Sequence, residues 1–189
     1  LMLKYVENQP LTAAELRGAL RKGTVARRCQ PVLCGPALRD MGVQKLLDGV
    51  GYYLPSPLDR PPITGVRSLE DPTPIERRAD AKEPFAALVF KIVTDKPLDL
   101  YYLRVYSGVL KNNTRVYNSN TGQKENLSRL FRMFAKRREP VSAADPGDIV
   151  ACIGLKDAVT GDTLCDPHAP VVLERIEFPT PVISMSVEP

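Results

Sequence analysis

FAALVFKIVT, residues 85–94, is the stretch that decides the fold. From Phe85 onward the apolar pattern changes to period two in short segments, which is typical of β-strands. Six or seven short strands without an intervening helix predict a small closed β-barrel, because closure removes exposed sheet edges. The predicted strands are Phe85–Thr94, Leu98–Tyr106, Thr114–Asn118, Leu127–Met133, Asp148–Ile153, Val171–Phe178 and Val182–Val187.

The first sixty residues show helical spacing instead. Thr12 and Glu15 form a capping-box pattern that predicts a helix of about ten residues ending near Gly23. A second helix is predicted from Val43 to the prolines at 55 and 57. The apolar segment Pro31–Cys34 between them predicts one strand, and therefore an α/β fragment whose partner strands are absent from this chain.

Prolines and charges alternate between these two parts. Each proline favours extended backbone at the residue before it, so this stretch is predicted to be a semi-extended linker. We therefore expect an α/β fragment at residues 1–60, a linker at 61–83 and the barrel at 84–189. Because the chain begins with Leu1, we expect it to be a piece of a longer protein.

Composition excludes several classes of function. No pair of the four cysteines has zinc-knuckle spacing and there is a single histidine, so we expect no metal site and reduced thiols. No apolar run has the length of a membrane span and no signal peptide is visible, so a soluble, cytoplasmic protein is expected. A monomer is expected as well. The formal net charge of +4 is too small to indicate nucleic-acid binding by itself.

Catalytic motifs are absent as well. His168 lies between two prolines in a predicted surface turn, and Asp157 and Asp162 are expected to cap turns. The sequence has neither a glycine-rich phosphate loop ending in Lys-Ser/Thr nor a nucleophile elbow. We therefore expect no catalytic residue in this chain.

The strongest local charge is the basic strip, defined here as residues 129–138. It contains five cations and no acid, whereas residues 81–189 together contain 14 basic and 13 acidic residues. Such a strip is suited to a phosphate backbone, and a solvated strand edge protected by charge is the alternative interpretation. Alternation is expected to turn Leu130 and Phe134 inward. The candidate RNA-binding residues are Arg129, Arg132, Lys136, Arg137 and Arg138, with Lys156 in a polar loop as a further candidate.

Several motifs resemble domain II of translation elongation factor G. They are Glu83–Lys91, Arg104–Leu110, Gly147–Ile149, Gly154–Asp157, Thr160–Cys165 and Phe178–Pro179. The segment Val43–Leu58 resembles the last helix of the GTPase domain of that family and the exit from it. The resemblance covers nearly the whole chain in the order of the family, and it identifies the α/β fragment as the end of a P-loop GTPase domain.

The resemblance implies a ribosome-dependent GTPase that moves transfer and messenger RNA during elongation. It implies GTP or GDP with Mg²⁺ in the whole protein and small-subunit ribosomal RNA as a partner of the barrel. The phosphate loop, the switches and the Asn-Lys-x-Asp motif of the family would precede Leu1. The chain alone is therefore expected neither to bind GTP tightly nor to hydrolyse it, and no cofactor is expected in it.

Residues Gly35, Pro36 and Ala37 match the fifth GTPase motif, which is usually Gly-Ser-Ala. In the family the Ala N–H faces the guanine oxygen, and that donor is retained at Ala37. Pro36 replaces the usual serine, which removes a hydroxyl and fixes φ near −65°.

Two alternatives remain open at the level of sequence. One is a paralogous translational GTPase acting in ribosome recycling, termination or ribosomal protection. The other is a stand-alone RNA-binding or protein-binding β-barrel, against which the unpartnered segment Pro31–Cys34 argues.

Overall fold

The computed structural model describes residues 2–95, 98–135, 137–174 and 176. The chain divides into two compact units, residues 1–60 and residues 61–189. Three parts of the predictions lie outside the described residues. They are Lys136, the predicted strand Val182–Val187, and residues 175, 177 and 178 of the predicted strand Val171–Phe178. Each unit is described separately below.

Unit 1 is helical. The Thr12 hydroxyl accepts from the Glu15 N–H, and the Glu15 carboxylate accepts from the Thr12 N–H, so the predicted capping box is confirmed. Gly23 does not end the helix, which continues to Val25. The helices are α1 (Met2–Val6), α2 (Ala13–Val25) and α3 (Val43–Tyr53), with short 3₁₀ turns at Ala37–Arg39 and Pro57–Asp59.

The capping carboxylate also receives a hydrogen bond from outside its helix. The Lys4 ammonium donates to Glu15, and this bond, with the donors of Thr12, lowers the pKa of Glu15 to about 2. A carboxylate near the N-terminus of a helix is also favoured by the helix dipole. Glu15 therefore stays ionised and holds the start of α2 to α1.

The prediction of a strand at Pro31–Cys34 is wrong. These residues have no regular structure, because a strand needs a partner to receive its backbone hydrogen bonds and none is described in unit 1. Leu33 instead places its side chain against α3, where a Cβ added to Gly49 would lie 3.2 Å from Leu33 Cδ2. Arg21 joins α2 to the end of α3 by donating to the Tyr52 carbonyl at 2.8 Å.

Unit 2 is a β structure. It begins with a two-stranded antiparallel pair, β1 with β2, inside the segment expected to be a linker. The strands are β1 (Ile63–Val66), β2 (Pro74–Arg77), β3 (Ala86–Asp95), β4 (Leu98–Ser107), β5 (Leu110–Lys111), β6 (Thr114–Asn118), β7 (Gln123–Leu127), β8 (Arg129–Phe134), β9 (Arg137–Val141), β10 (Ala143–Ala144), β11 (Ile149–Ile153) and β12 (Thr163–Cys165).

Eight strands form one curled antiparallel sheet in the order β7-β6-β12-β3-β4-β11-β8-β9. This confirms the mainly β fold. One predicted strand is divided at Ser128, whose N–H and hydroxyl both donate to the Ile153 carbonyl and turn the chain from β7 into β8. Residues 171–174 form no strand, although Val172 makes a single bridge to Val66.

The core lies inside the curl of this sheet. Leu103, Leu130 and Leu164 have no exposed surface and come from three different strands. Cys152 and Cys165 are buried as small apolar residues, and burial raises the pKa of both thiols. Cys29 and Cys34 are exposed in unit 1, and all four thiols are free.

The two ends of the sheet meet around Asn112. Its side-chain amide donates to the Val141 carbonyl at 2.9 Å and accepts from the Leu130 N–H at 2.8 Å. The short β5-β10 pair adds backbone bonds beside it. The side chain of Asn112 thus joins backbone groups of β8 and β9 to the turn before β6, which keeps the two end regions of the curled sheet together.

Replacement of Asn112 by Ala is expected to lower the free energy of unfolding by about 1–3 kcal/mol, because the Leu130 N–H then lies unpaired beside the core. Urea unfolding followed by circular dichroism measures this. The matched control is Asn126→Ala, an exposed asparagine of β7, which is expected to change stability much less. Equal effects of the two substitutions would contradict the role of Asn112 in closure.

Candidate functional site

The basic strip folds into the hairpin of β8 and β9. Its register pairs Phe134 with Arg137, Met133 with Arg138 and Arg132 with Glu139. Directly opposed residues of an antiparallel pair project to the same face of the sheet. The cations therefore divide between two faces, with Arg132 and Arg137 on one face and Arg129 and Arg138 on the other.

The face that carries Arg132 and Arg137 also carries acids. The Arg132 guanidinium lies 3.9 Å from the Asp148 carboxylate, and the Arg137 guanidinium lies 3.2 Å from that of Glu139. Both pairs are solvent-exposed, so each stabilises the fold by less than about 1 kcal/mol. They nevertheless reduce the positive charge that this face presents.

The expectation that Phe134 turns inward is wrong. Leu130 is fully buried, but Phe134, on the same face of β8, is 54% exposed. The hairpin extends beyond the core before it turns at Ala135, whose φ is 52°. The outer part of the hairpin therefore presents an exposed aromatic ring together with its cations.

The Lys156 loop begins where β11 ends. Gly154 has φ of +106°, and a Cβ there would lie 2.8 Å from the Asn126 carbonyl oxygen, so the chain leaves the sheet through a position that favours glycine. Ile153, just before it, pairs with Arg129. Arg129 and the loop therefore lie at the same end of neighbouring strands.

A buried carboxylate holds this loop in place. Glu125 is 4% exposed, and its two oxygens accept from the backbone N–H groups of Lys156 at 2.8 Å and Asp157 at 3.1 Å. A charged group can be buried when it is fully hydrogen-bonded. The exposed Lys156 side chain is thus presented by a backbone that is anchored to the barrel.

The next turn is held by a second buried carboxylate. Asp162 accepts from the Val159 N–H at 2.9 Å and from the side-chain amide of Asn118 at 2.8 Å. The prediction that Asp162 caps a turn is confirmed. Its connection to Asn118, a residue of β6 distant in sequence, could not be seen from the sequence.

Sequence reasoning missed Glu125 because it placed no strand at residues 123–126. The signal was present: Glu125 and Leu127 are two residues apart, and both face inward from β7. An acidic side chain on the same inward face as a core leucine needs hydrogen-bond donors, and the loop after β11 supplies them.

The loop at Gly35–Ala37 forms an inverse γ-turn. Pro36 has φ of −77° and ψ of 77°, and the Ala37 N–H donates to the Gly35 carbonyl at 2.9 Å. The donor expected to face a guanine oxygen is therefore bonded within the loop. A cavity of about 90 Å³ lies beside it, bordered by Leu33, Ala37 and Met41.

Unit 1 exposes much of its apolar surface. Gly49 is the one buried residue among those described in its helices. Large side chains that usually pack in a core are exposed by 44% or more, and examples are Leu16, Leu20, Leu33, Leu46, Leu47 and Val50. So many exposed large apolar side chains in one small unit are typical of an interaction face.

Neither a metal cluster nor a membrane helix is found within the part of the chain that the structure describes. No group of three His, Cys, Asp or Glu side chains there is arranged to hold a metal ion. None of the helices described is long and apolar enough to cross a membrane.

Comparison with known proteins gives consistent results for both units. Residues 100–165 match the family described as elongation factor Tu domain 2. The whole chain is 50% identical over 190 aligned residues to an elongation factor G from Thermotoga neapolitana, of which it spans 27%. A crystal structure of a protein from Thermus thermophilus matches 94% of this chain and 24% of that one, with a TM-score of 0.65 and 25% identity. The chain therefore resembles one continuous segment of elongation factor G, and unit 2 has the domain II fold of translation factors.

Glu125→Ala is expected to release the Lys156 loop, because the two N–H groups lose their acceptor. Amide hydrogen exchange at Lys156 and Asp157 should accelerate, and stability should fall by roughly 1–3 kcal/mol. Glu125→Gln retains one acceptor oxygen and should give an intermediate result. The control Gln123→Ala changes an exposed residue of the same strand, and unchanged exchange at residues 156 and 157 in Glu125→Ala would contradict the anchoring role.

Proposed function

We propose that this chain is part of a ribosome-dependent translational GTPase that promotes translocation of transfer and messenger RNA during elongation. The observation that carries the proposal is the 50% identity to an elongation factor G along the full length of the chain. The chain spans about a quarter of that relative, so the activity belongs to a longer protein. A paralogous role in recycling, termination or ribosomal protection is less well supported, because the relative is an elongation factor.

The exposed apolar surface of unit 1 supports this assignment. Helices α2 and α3 keep the spacing of core-facing helices, yet the described residues leave that surface open to water. Covering apolar surface is favourable by about 25 cal/mol per Å². In the proposal the remainder of a GTPase domain covers it, and GTP or GDP with Mg²⁺ binds in that domain.

Gly35, Pro36 and Ala37 would form one wall of the guanine site in the complete domain. Pro36 lacks a backbone N–H, so Ala37 is the first donor after Gly35 that the loop can offer. Binding of a guanine oxygen at this donor would replace the bond to the Gly35 carbonyl.

Unit 2 is the proposed contact with small-subunit ribosomal RNA. Arg129 and the Lys156 loop lie at one end of neighbouring strands and present exposed cations on an anchored backbone. Cations on a rigid barrel face can neutralise phosphates without reading a base sequence. The proposed protein acts as a monomer in the cytoplasm, where its ribosomal partner is located.

The chain is expected to bind isolated small ribosomal subunits with an affinity that falls as salt rises. Arg129→Ala combined with Lys156→Ala should weaken binding roughly tenfold and flatten the dependence of log K on log salt. The slope falls because binding with fewer phosphate contacts releases fewer counterions. Cosedimentation at several salt concentrations measures both quantities.

The control for this double variant is Lys22→Ala with Lys45→Ala, which removes the same charge from unit 1. Equal losses of affinity in both double variants would show that net charge causes the effect, and would contradict a specific contact at Arg129 and Lys156. No binding of the unaltered chain to small subunits at low salt would contradict the proposed ribosomal contact.

Calorimetric titration with GTP and Mg²⁺ is expected to show no binding in the micromolar range. The Gly35–Ala37 loop is one wall of the proposed site, and its N–H donor is bonded internally. Restoration of serine in Pro36→Ser is expected to leave this result unchanged in the chain. Micromolar binding of GTP by the unaltered chain or by Pro36→Ser would contradict the proposal that the rest of the GTPase domain supplies the other walls of the site.

A further inference from the structure

A groove crosses unit 2, and no residue of the basic strip lines it. It consists of two adjoining cavities of about 510 and 500 Å³, which share Phe85, Val109 and Asp166 as lining residues. The first cavity extends to Lys82 and Lys111, and the second extends to Arg115, Lys124 and His168. Their sizes are in the range of small-ligand sites.

Backbone contacts build the walls of this groove. Gly108 has φ of +63°, and a Cβ there would lie 2.6 Å from both the Glu83 carbonyl oxygen and the Phe85 nitrogen. Its N–H donates to the Asp80 carbonyl at 3.0 Å. The segment before β3 is therefore packed directly on the turn between β4 and β5, which fixes the shape of the groove before any ligand binds.

The opposite wall is fixed in the same manner. The Asp166 N–H donates to the Phe85 carbonyl at 2.9 Å, and the Asp166 carboxylate accepts from the His168 N–H at 2.8 Å. Arg115 on β6 is oriented by its hydrogen bond to the Asn126 side chain at 3.3 Å. Lys124 pairs with Tyr117 on the same outer face of β6 and β7.

Four lysine and arginine side chains and two acidic side chains line the groove. The cations are Lys82, Lys111, Arg115 and Lys124, and the carboxylates are Glu83 and Asp166.

The lysines of the groove lack the partners that some surface cations of the same unit have. Over the described ranges of the chain, the ammonium groups of Lys82, Lys111 and Lys124 form no ion pair. By contrast, Arg132 is paired with an acid, and Lys91 lies over the ring of Tyr102. Unpaired cations that converge on a preformed groove favour an anionic ligand.

The chemistry of the lining distinguishes among anions. Val109 and Pro167, both partly exposed, provide apolar surface on which a base or ribose can pack. The two carboxylates can accept hydrogen bonds from ribose 2′-hydroxyls or base amino groups, donors that the acidic side chains of a peptide do not offer. A nucleotide chain satisfies all three features at once.

We infer that this groove binds a short single-stranded segment of RNA, with phosphates at Lys111 and Lys124 and sugars and bases along the apolar floor. The inference rests on the proposed function for the presence of RNA, but it assigns the contact to a surface separate from Arg129 and the Lys156 loop. The groove would make unit 2 a two-sided RNA-binding module.

The test measures fluorescence anisotropy of a labelled oligouridine of about ten nucleotides, a length within the usual site size of a small barrel. Lys111→Ala combined with Lys124→Ala is expected to weaken binding at least tenfold. The slope of log K against log salt should fall by about 1.4, because each phosphate contact to a single strand contributes about 0.7. The DNA oligomer of matching sequence should bind more weakly, since it lacks the 2′-hydroxyls.

Two double variants serve as controls in the same assay. Lys22→Ala with Lys45→Ala in unit 1 should leave oligouridine binding unchanged, and Arg129→Ala with Lys156→Ala should change it little. Thermal unfolding of each variant verifies that the fold is retained, since all substituted side chains are exposed.

Unchanged oligouridine binding in the groove variant would overturn the inference, as would an equal loss in the unit 1 control. Absence of oligouridine binding by the unaltered chain would overturn the groove inference too. If the chain still bound small subunits in that case, the proposed function would stand. A groove variant that loses small-subunit binding but keeps oligouridine binding would assign the groove to a ribosomal protein and also overturn it.

Discussion

The pairing of backbone groups where the two ends of the sheet meet is the constraint on which unit 2 depends. A curled sheet leaves N–H and C=O groups unpaired at its edges, and near an apolar core each such group costs free energy. The side-chain amide of Asn112 both donates and accepts at the junction of β8 and β9, to the Val141 carbonyl and from the Leu130 N–H. The junction also involves β11, because β8 follows directly on β7 in the chain and pairs with β11.

The same physical rule governs the surface loops. Among the residues that the structure describes, the carboxylates of Glu125 and Asp162 are buried, and each accepts backbone N–H donation from a loop, two donors at Glu125 and one at Asp162. Glu125 does this for the loop after β11, and Asp162 does it for the following turn. The loop that presents Lys156 is therefore held by a buried carboxyl group beneath it. A polar network of this kind gives definite geometry because every member is satisfied.

Sequence reasoning predicted the strands with strong apolar periodicity, and it found Thr114–Asn118 with the bounds that the structure has. It failed where structure depends on a partner distant in sequence. Pro74 begins a strand despite being a proline, because its missing N–H lies at the end of a two-stranded pair. The basic strip was visible as composition, but its division between two faces depends on the register of the hairpin, which the turn at Ala135 sets.

The inverse γ-turn at Pro36 changes how the Gly35–Ala37 loop should be regarded energetically. In the turn the Ala37 N–H is not free to bond to water, because it already donates to the Gly35 carbonyl. Exchange of one carbonyl acceptor for another alters the free energy only by the difference between two similar hydrogen bonds. In the proposed guanine site such a loop would contribute orientation more than affinity, and without a ligand it rests in a self-contained conformation that exposes no unpaired donor at this position.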